Sequence, residues 1–234
     1  MGVNAMKVGM GVNAMKAGDR AARVLIVDDH PAVREGLGVW IARQPDLELC
    51  GEAAEVAQAL ALFDEASPDV VVVDLSLKGG DGIDLIKRIR ARDDHARILV
   101  WSMYPETLYA ERALRAGALG YINKQEPTGQ IVEAIRCVLA GKMYLSGPLS
   151  ERLLRAAVGR GEGPTGAPDE SLTDRELEVF RLIGRGRTTA EVADELHLSI
   201  HTIETYRRRI KAKLGLRTAA ELSSAATRWV LERG

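Results

Sequence analysis

Cysteine is nearly absent from the 234-residue chain: Cys50 and Cys137 stand alone, with neither CxxC spacing nor a histidine cluster nearby. That pattern excludes a disulfide-stapled scaffold and a thiolate metal site, and it suits a cytosolic protein. No apolar run approaches the roughly 20 residues that a membrane-spanning helix needs. The N-terminus also lacks the continuous apolar segment of a secretory signal, so a cytoplasmic location without a membrane partner is expected. A glycine-rich nucleotide loop is missing, which removes a kinase reading. What remains is ordinary soluble composition, 46% hydrophobic and 28% charged, with length for one or two domains that each bury a core.

Charge is distributed unevenly. The net charge of −1 conceals 12 Lys/Arg against 9 Asp/Glu from Ser171 onward, and five of those basic residues fall between Arg207 and Lys213. A basic excess focused on one short stretch points to a polyanion. Residues 1–18 hold a tandem repeat, MGVNAMKVG then MGVNAMKAG. Two nine-residue copies are too few and too short for a solenoid, so residues 1–20 are expected to form a disordered leader.

From Arg23 to about Ala140, short β-branched runs alternate with helical patterns. Strands are expected over Arg23–Val27, Leu47–Ala53, Val70–Asp74, Ile98–Ser102 and Gly120–Ile122. Helices are expected near 32–44, 55–66, 82–92, 107–116 and 128–140. Alternation of this kind predicts right-handed βαβ units and a parallel, doubly wound α/β sheet with ligands at the carboxyl ends of its strands. The segment GRGEGPTGAPDE, 159–170, is rich in Gly and Pro without periodicity and marks a boundary. The division expected is an α/β domain over 21–145, a linker over 146–170 and an all-α domain over 171–234. In the last, Thr173, Thr188 and Thr218 each precede a glutamate at the third position, and Ser199 is a further N-cap, which predicts a four-helix domain.

The stretch VLIVDDHP drives a strand into the core and ends it with two like charges, Asp28 and Asp29. The third expected strand ends in Asp74, on the same edge of a parallel sheet. Three converging carboxylates repel unless a hard cation sits among them, and oxygen-only ligands suit Mg²⁺. The fourth strand ends at the hydroxyl of Ser102, and the fifth leads to the ammonium of Lys124. Metal, carboxylate, hydroxyl and ammonium together suit a phosphoryl group. Asp74 would be the nucleophile, and Mg²⁺ would be held by Asp29 and Asp74, and by Asp28 through water. Lys124 and Ser102 would hold phosphoryl oxygens.

LIVDDHP, VVVDLSLKGGDG, LVWSM and GALGYINK, in this order, resemble the receiver domain of bacterial two-component response regulators over roughly 23–145. The resemblance implies sheet order 2-1-3-4-5, a metal ligand from the Ser76 backbone carbonyl, and Tyr121 as an aromatic switch that turns inward when Ser102 moves toward the phosphate. It also implies that Ser76 and Tyr104 tune phosphate lifetime. One departure is Lys78, where many members have proline in a loop near the pocket.

The segment TTAEVADELHLSIHTIETYRRRIKAKLG carries two helices joined by a short turn. At about 100° per residue, Ile203, Tyr206, Ile210 and Leu214 of the second helix share one side and should face the core. His201, Glu204, Thr205, Arg208 and Ala212 share the other, flanked by Arg207, Arg209, Lys211 and Lys213. A polar ridge between basic shoulders suits a recognition helix: the ridge reads base edges in the major groove and the shoulders meet phosphates. The plainer alternative is an exposed amphipathic helix with pairs such as Glu204–Arg208. LTDRELEVFRLIGRG followed by TIETYRRRIKAKLGL resembles the LuxR-type helix-turn-helix over about 171–232, and the two halves together resemble the NarL/FixJ class. That resemblance implies base contacts from Glu204, Thr205 and Arg208, and backbone contacts from Thr189 and from Lys211 or Lys213. It further implies a dimer through the last helix, on DNA or when phosphorylated, and a sensor histidine kinase as donor. Glu204 and Tyr206 stand where many members have Lys and His.

Two alternatives are weaker. One is an orphan DNA-binding regulator that no longer uses phosphate, which the intact Asp28, Asp29, Asp74, Ser102 and Lys124 argue against. The other is a Mg²⁺-dependent phosphohydrolase, which would need an acid/base aspartate two residues after Asp74, where Ser76 stands.

Overall fold

The protein is described here from a computed structural model over residues 20–77, 80–157 and 171–233. Five parallel strands lie in the order β2-β1-β3-β4-β5: β1 Ala22–Val27, β2 Leu47–Ala53, β3 Val70–Val73, β4 Ile98–Ser102 and β5 Gly120–Asn123. They alternate with α1 Pro31–Ala42, α2 Val56–Ala66, α3 Gly82–Arg90, α4 Glu106–Ala116 and α5 Thr128–Leu139. The expected elements are all present, with ends displaced by a residue or two. The order 2-1-3-4-5 that the resemblance implied is the order observed.

The period-two geometry of a strand divides the sheet between two apolar layers. In β3, Val71 and Val73 face the layer under α2, α3 and α4, with Leu25, Val27, Ile98 and Val100. Val70 and Val72 face the layer under α1 and α5, with Leu37, Ile41, Ile131 and Ile135. Burial on both faces is why these strands read as continuous β-branched runs.

A helix α6, Gly147–Ala157, follows β5 and α5. The segment expected as a linker over 146–170 thus begins with a helix, and the physical cause of the helix is the apolar pair Leu149 and Leu153. These residues lie four apart on one helix face and pack on the layer under α2–α4. Arg152 also donates to the Thr107 carbonyl at 3.2 Å. Residues 158–170, the repeat of 1–18 and Lys78 lie outside the described residues.

The C-terminal part contains α7 Asp174–Gly184, α8 Thr189–Glu195, α9 Ile200–Leu214 and α10 Ala219–Arg233. Each start is capped as its sequence predicted. Thr173 with Glu176 and Thr188 with Glu191 form complete capping boxes. Ser199 Oγ accepts from Thr202 N, and Thr218 Oγ1 accepts from Glu221 N at 3.1 Å. Gly184 is needed where α7 crosses α10, since a Cβ there would stand 2.4 Å from the Ala226 carbonyl oxygen. The turn from α8 to α9 passes through His197 at φ 52°. The apolar layer under α2–α4 runs on through Leu149 and Leu172 into Leu177, Phe180, Ile203 and Trp229, so one cluster joins the two parts of the chain.

Candidate functional site

Backbone pairing delivers the expected residues to one edge of the sheet. Just past β1, the Asp28 amide donates to the Ala53 carbonyl at 3.0 Å; just past β3, the Asp74 amide donates to the Val27 carbonyl at 2.8 Å. The Lys124 amide donates to the Ser102 carbonyl at 2.9 Å. Each reactive side chain is therefore fixed by a neighbouring strand end. Behind Asp74, Gly82 opens α3 so closely that a Cβ would lie 2.5 Å from the Asp74 carbonyl oxygen.

The side chains converge in a cleft. Lys124 Nζ lies 2.7 Å from Asp74 Oδ2 and 2.5 Å from Asp28 Oδ2, and all three side chains are nearly inaccessible. The Ser76 amide donates to Asp74 Oδ1 at 3.2 Å, and the His30 amide donates to Asp28 Oδ1 at 2.9 Å. Burial pushes the Asp28 carboxyl above its ordinary range; Lys124 opposes that shift and Asp74 adds to it. Ser102 is fully buried, and its Oγ accepts from the Tyr104 amide at 3.4 Å. Tyr121 is turned inward, its hydroxyl donating to the Tyr104 carbonyl at 2.8 Å.

Asp28, Asp29, His30 and Asp74 each offer a ligand atom, all within 4.8 Å of one another. Asp28 Oδ2 and Asp29 Oδ1 are buried without an aligned hydrogen bond, although Lys124 Nζ and His30 Nδ1 lie 2.5 and 2.7 Å away respectively. Hard carboxylate oxygens with spare acceptor capacity fit a Mg²⁺ ion. His30 was not among the expected site residues. Its signal was present, since it follows the aspartate pair directly and its Nδ1 lies 2.7 Å from Asp29 Oδ1.

The second expected surface lies on α9. Ile203 and Ile210 are buried and Tyr206 and Leu214 pack against the core, so the helix face is as predicted. His201, Glu204, Arg208 and Ala212 are exposed and Thr205 is half-buried. The Glu204–Arg208 pair belonged to the plainer alternative; Glu204 Oε1 instead accepts from Thr189 Oγ1 at 3.1 Å and pairs with Arg207 at 3.5 Å. Lys213 is held by Glu176 at 2.5 Å. Arg208, Arg209 and Lys211 complete the basic flanks, and Arg209 and Tyr206 line the same cleft as Asp74 and Lys124.

That cleft is closed from the C-terminal side by α7, an arrangement with no local sequence signal. Its acids Asp174, Glu176 and Glu178 are all buried. Each meets a cation: Arg112 at 2.9 Å, Lys213 at 2.5 Å and Arg175 at 2.6 Å respectively. Burial, with Asp81 alongside, pushes the Asp174 carboxyl up to about 8. Arg112 lowers it but is not aligned to hydrogen-bond either carboxylate oxygen.

A parallel sheet with three aspartates, a hydroxyl and a lysine at its carboxyl edge, joined to a helix-turn-helix, defines a receiver coupled to a DNA-binding domain. Residues 24–136 match the response regulator receiver domain, and residues 170–226 match the bacterial regulatory proteins of the luxR family. The transcriptional regulatory protein LiaR of Bacillus subtilis is 36% identical over 192 residues, 82% of this chain and 90% of that protein. The oxygen regulatory protein NreC of Staphylococcus aureus is 34% identical over 204 residues, 86% and 94%. Among solved structures, a LuxR-family response regulator from Aurantimonas is 39% identical, covering 59% of this chain and 99% of its own with a TM-score of 0.55. RcsB of Salmonella enterica serovar Typhimurium, solved bound to promoter rprA with phosphomimetic BeF₃⁻, is 26% identical, covering 89% and 99% with a TM-score of 0.55. The chain belongs to the NarL/FixJ family of two-component response regulators, which are transcription regulators and not enzymes. No helix among the described residues is long and apolar enough to cross a membrane.

Proposed function

We propose that this regulator accepts a phosphoryl group on Asp74 from a sensor histidine kinase and thereby controls binding of its C-terminal domain to DNA. The observation that carries the reading is the Asp74 carboxylate, buried, 2.7 Å from Lys124 and within 4.8 Å of ligand atoms of Asp28 and Asp29. In the transfer an Asp74 Oδ bonds to phosphorus as the bond from phosphorus to the donor nitrogen breaks, the electron pair leaving with the donor. Lys124 holds one phosphoryl oxygen and neutralises its charge, and Ser102 donates to another after moving toward it. Tyr121 is the aromatic switch. Asp28, Asp29 and Asp74, with the Ser76 carbonyl, would hold Mg²⁺, which supplies neutralisation of the transferring oxygens. Incubation with Mg²⁺ and a small phosphodonor is expected to add one phosphoryl group to the intact mass, lost in Asp74→Ala. No gain with any of a panel of phosphorylated kinases would favour the orphan regulator.

On DNA, Glu204, Thr205 and Arg208 would face the major groove, with Thr189, Arg207, Arg209, Lys211 and Lys213 along the phosphates. RcsB has been solved as dimers on DNA, and a comparable dimer through α10 is proposed for this chain in the cytoplasm. Titration of DNA binding against salt checks the interface. Affinity is expected to fall by about 10³ or more between 50 and 200 mM salt if six or more phosphates are contacted. Arg209→Ala should flatten the log–log slope by about one, whereas Arg208→Ala should cost about 1–3 kcal/mol and relax the sequence preference. A slope unchanged by Arg209→Ala would remove that residue from the phosphate contacts.

A further inference from the structure

Tyr104 stands two residues after Ser102 and touches both parts of the molecule. On the receiver side its amide donates to Ser102 Oγ at 3.4 Å, and its carbonyl accepts from Tyr121 Oη at 2.8 Å and Asn123 Nδ2 at 3.1 Å. On the other side its phenol, buried and packed on Tyr109, donates to Glu178 Oε2 of α7 at 2.5 Å. Arg175 completes the cluster. Its Nη1 lies 2.6 Å from Glu178 Oε2, 3.3 Å from the Tyr104 hydroxyl and 3.4 Å from Ser76 Oγ, while its Nη2 donates to the Leu196 carbonyl at 3.1 Å. Leu196 ends α8, next to the turn that leads into α9. Arg175 and Glu178 line the cleft that holds Asp74 and Lys124.

We propose that Tyr104, Glu178 and Arg175 form a latch through which the phosphoacceptor pocket and the DNA-binding domain each control the other. The inference rests on the reading of Asp74 as phosphoacceptor and adds the residues that couple it to the second domain. Ser102 is part of the same short chain as Tyr104, so its movement toward a phosphoryl group withdraws the acceptor from the Tyr104 amide and shifts residues 103–104. The phenol then leaves Glu178, whose buried carboxylate is left with Arg175 as its partner. Arg175 loses its contact with the Tyr104 hydroxyl in turn and re-centres on Glu178, so its hold on the Leu196 carbonyl weakens beside the recognition helix. Linkage requires the reverse effect as well: a docked DNA-binding domain resists the Ser102 movement and slows phosphorylation of Asp74. Tyr104 and Glu178 are thus positioning residues, one on each domain, that never touch the reacting atoms.

The test is a double-mutant cycle on the full-length protein, reading the rate of Asp74 phosphorylation by acetyl phosphate with Mg²⁺. Tyr104→Phe removes only the hydroxyl, leaving the amide and carbonyl contacts to the pocket, and Glu178→Gln alters the partner on the other domain. Each is expected to raise the rate about tenfold, the size of a lost charge-assisted hydrogen bond, and the double variant no further than either single one. Misfolding lowers the rate, so an increase separates the latch from general damage. Rates equal to or below that of the unsubstituted protein in Glu178→Gln, or fully multiplicative effects in the double variant, would overturn the latch. Absence of labelling in every variant and in the unsubstituted protein overturns the phosphoacceptor reading, and the latch with it.

Discussion

Lys124→Met is expected to lower the unfolding free energy of the protein in chelator by about 3 kcal/mol, and to make that deficit respond strongly to Mg²⁺. The Lys124 ammonium lies against Asp74 and Asp28 together, at 2.7 and 2.5 Å. Methionine keeps the length of the stem and removes only the charge. Two buried carboxylates then face each other with no cation, which is the circumstance in which breaking a buried pair costs most. Relief has two sources. One is a proton: burial already raises the Asp28 carboxyl. A raised carboxyl contributes stability below its ordinary range and loses it as pH rises through the shifted value, so the deficit should shrink on acidification. The other is a divalent cation among Asp28, Asp29 and Asp74, so millimolar Mg²⁺ should recover a large part of the loss. Denaturant unfolding of both proteins, with Mg²⁺ and with chelator, reads the difference directly. A deficit indifferent to Mg²⁺ would mean that the acidic cluster does not bind the ion.

The residues at the sheet edge were legible because strand order, strand ends and charge all depend on local pattern. A continuous apolar strand followed by Asp28 or Asp74 places the aspartate at the carboxyl edge, and parallel pairing then brings the ends together. The capping boxes at Thr173 and Thr188 were legible for the same reason, since their partners lie three residues away. Contacts across domains carry no such signal. Tyr104 and Glu178 are 74 residues apart, and nothing near either announces the other. Burial of Asp174 and Glu176 of α7 is made tolerable by Arg112 from the receiver and Lys213 from α9, partners that no local spacing announces. Glu204 shows the same limit on a smaller scale. Spacing of four offered Arg208 as its partner, whereas the neighbouring helix supplied Thr189 and spacing of three within α9 supplied Arg207.

Raising the pH from about 5 to 8.5 should loosen the docking of the two domains, with Asp174→Asn removing most of the dependence. Asp174 is the first residue of α7 and is held against the receiver. Its amide donates to Asp81 Oδ2 at 3.3 Å, and Arg112, which also donates to the Leu172 carbonyl at 2.7 Å, lies 2.9 Å from its carboxylate. Burial is the largest cause of its raised value of about 8; Asp81 adds to the shift, while Arg112 and Lys87 oppose it. In a released domain the carboxyl would stand free at a helix N-terminus, where ionisation is favoured. The docked form therefore binds a proton that the released form does not, between about pH 4 and 8. For a group raised in this way, the contribution is complete below the ordinary value, declines as pH rises and is gone above the shifted one. Within that window each pH unit costs the docked form up to about 1.4 kcal/mol. Glu178, raised by burial against the opposing Arg175 and Tyr104, pushes in the same direction. Small-angle scattering across this range should show the molecule extending with pH, and Asp174→Asn, uncharged throughout, should stay compact. Extension of equal size in Asp174→Asn would assign the pH response to Glu178 or to Asp28, both raised by burial. A protein compact at every pH would mean that the apolar layer shared by α4, α6 and α7 outweighs the buried carboxyl.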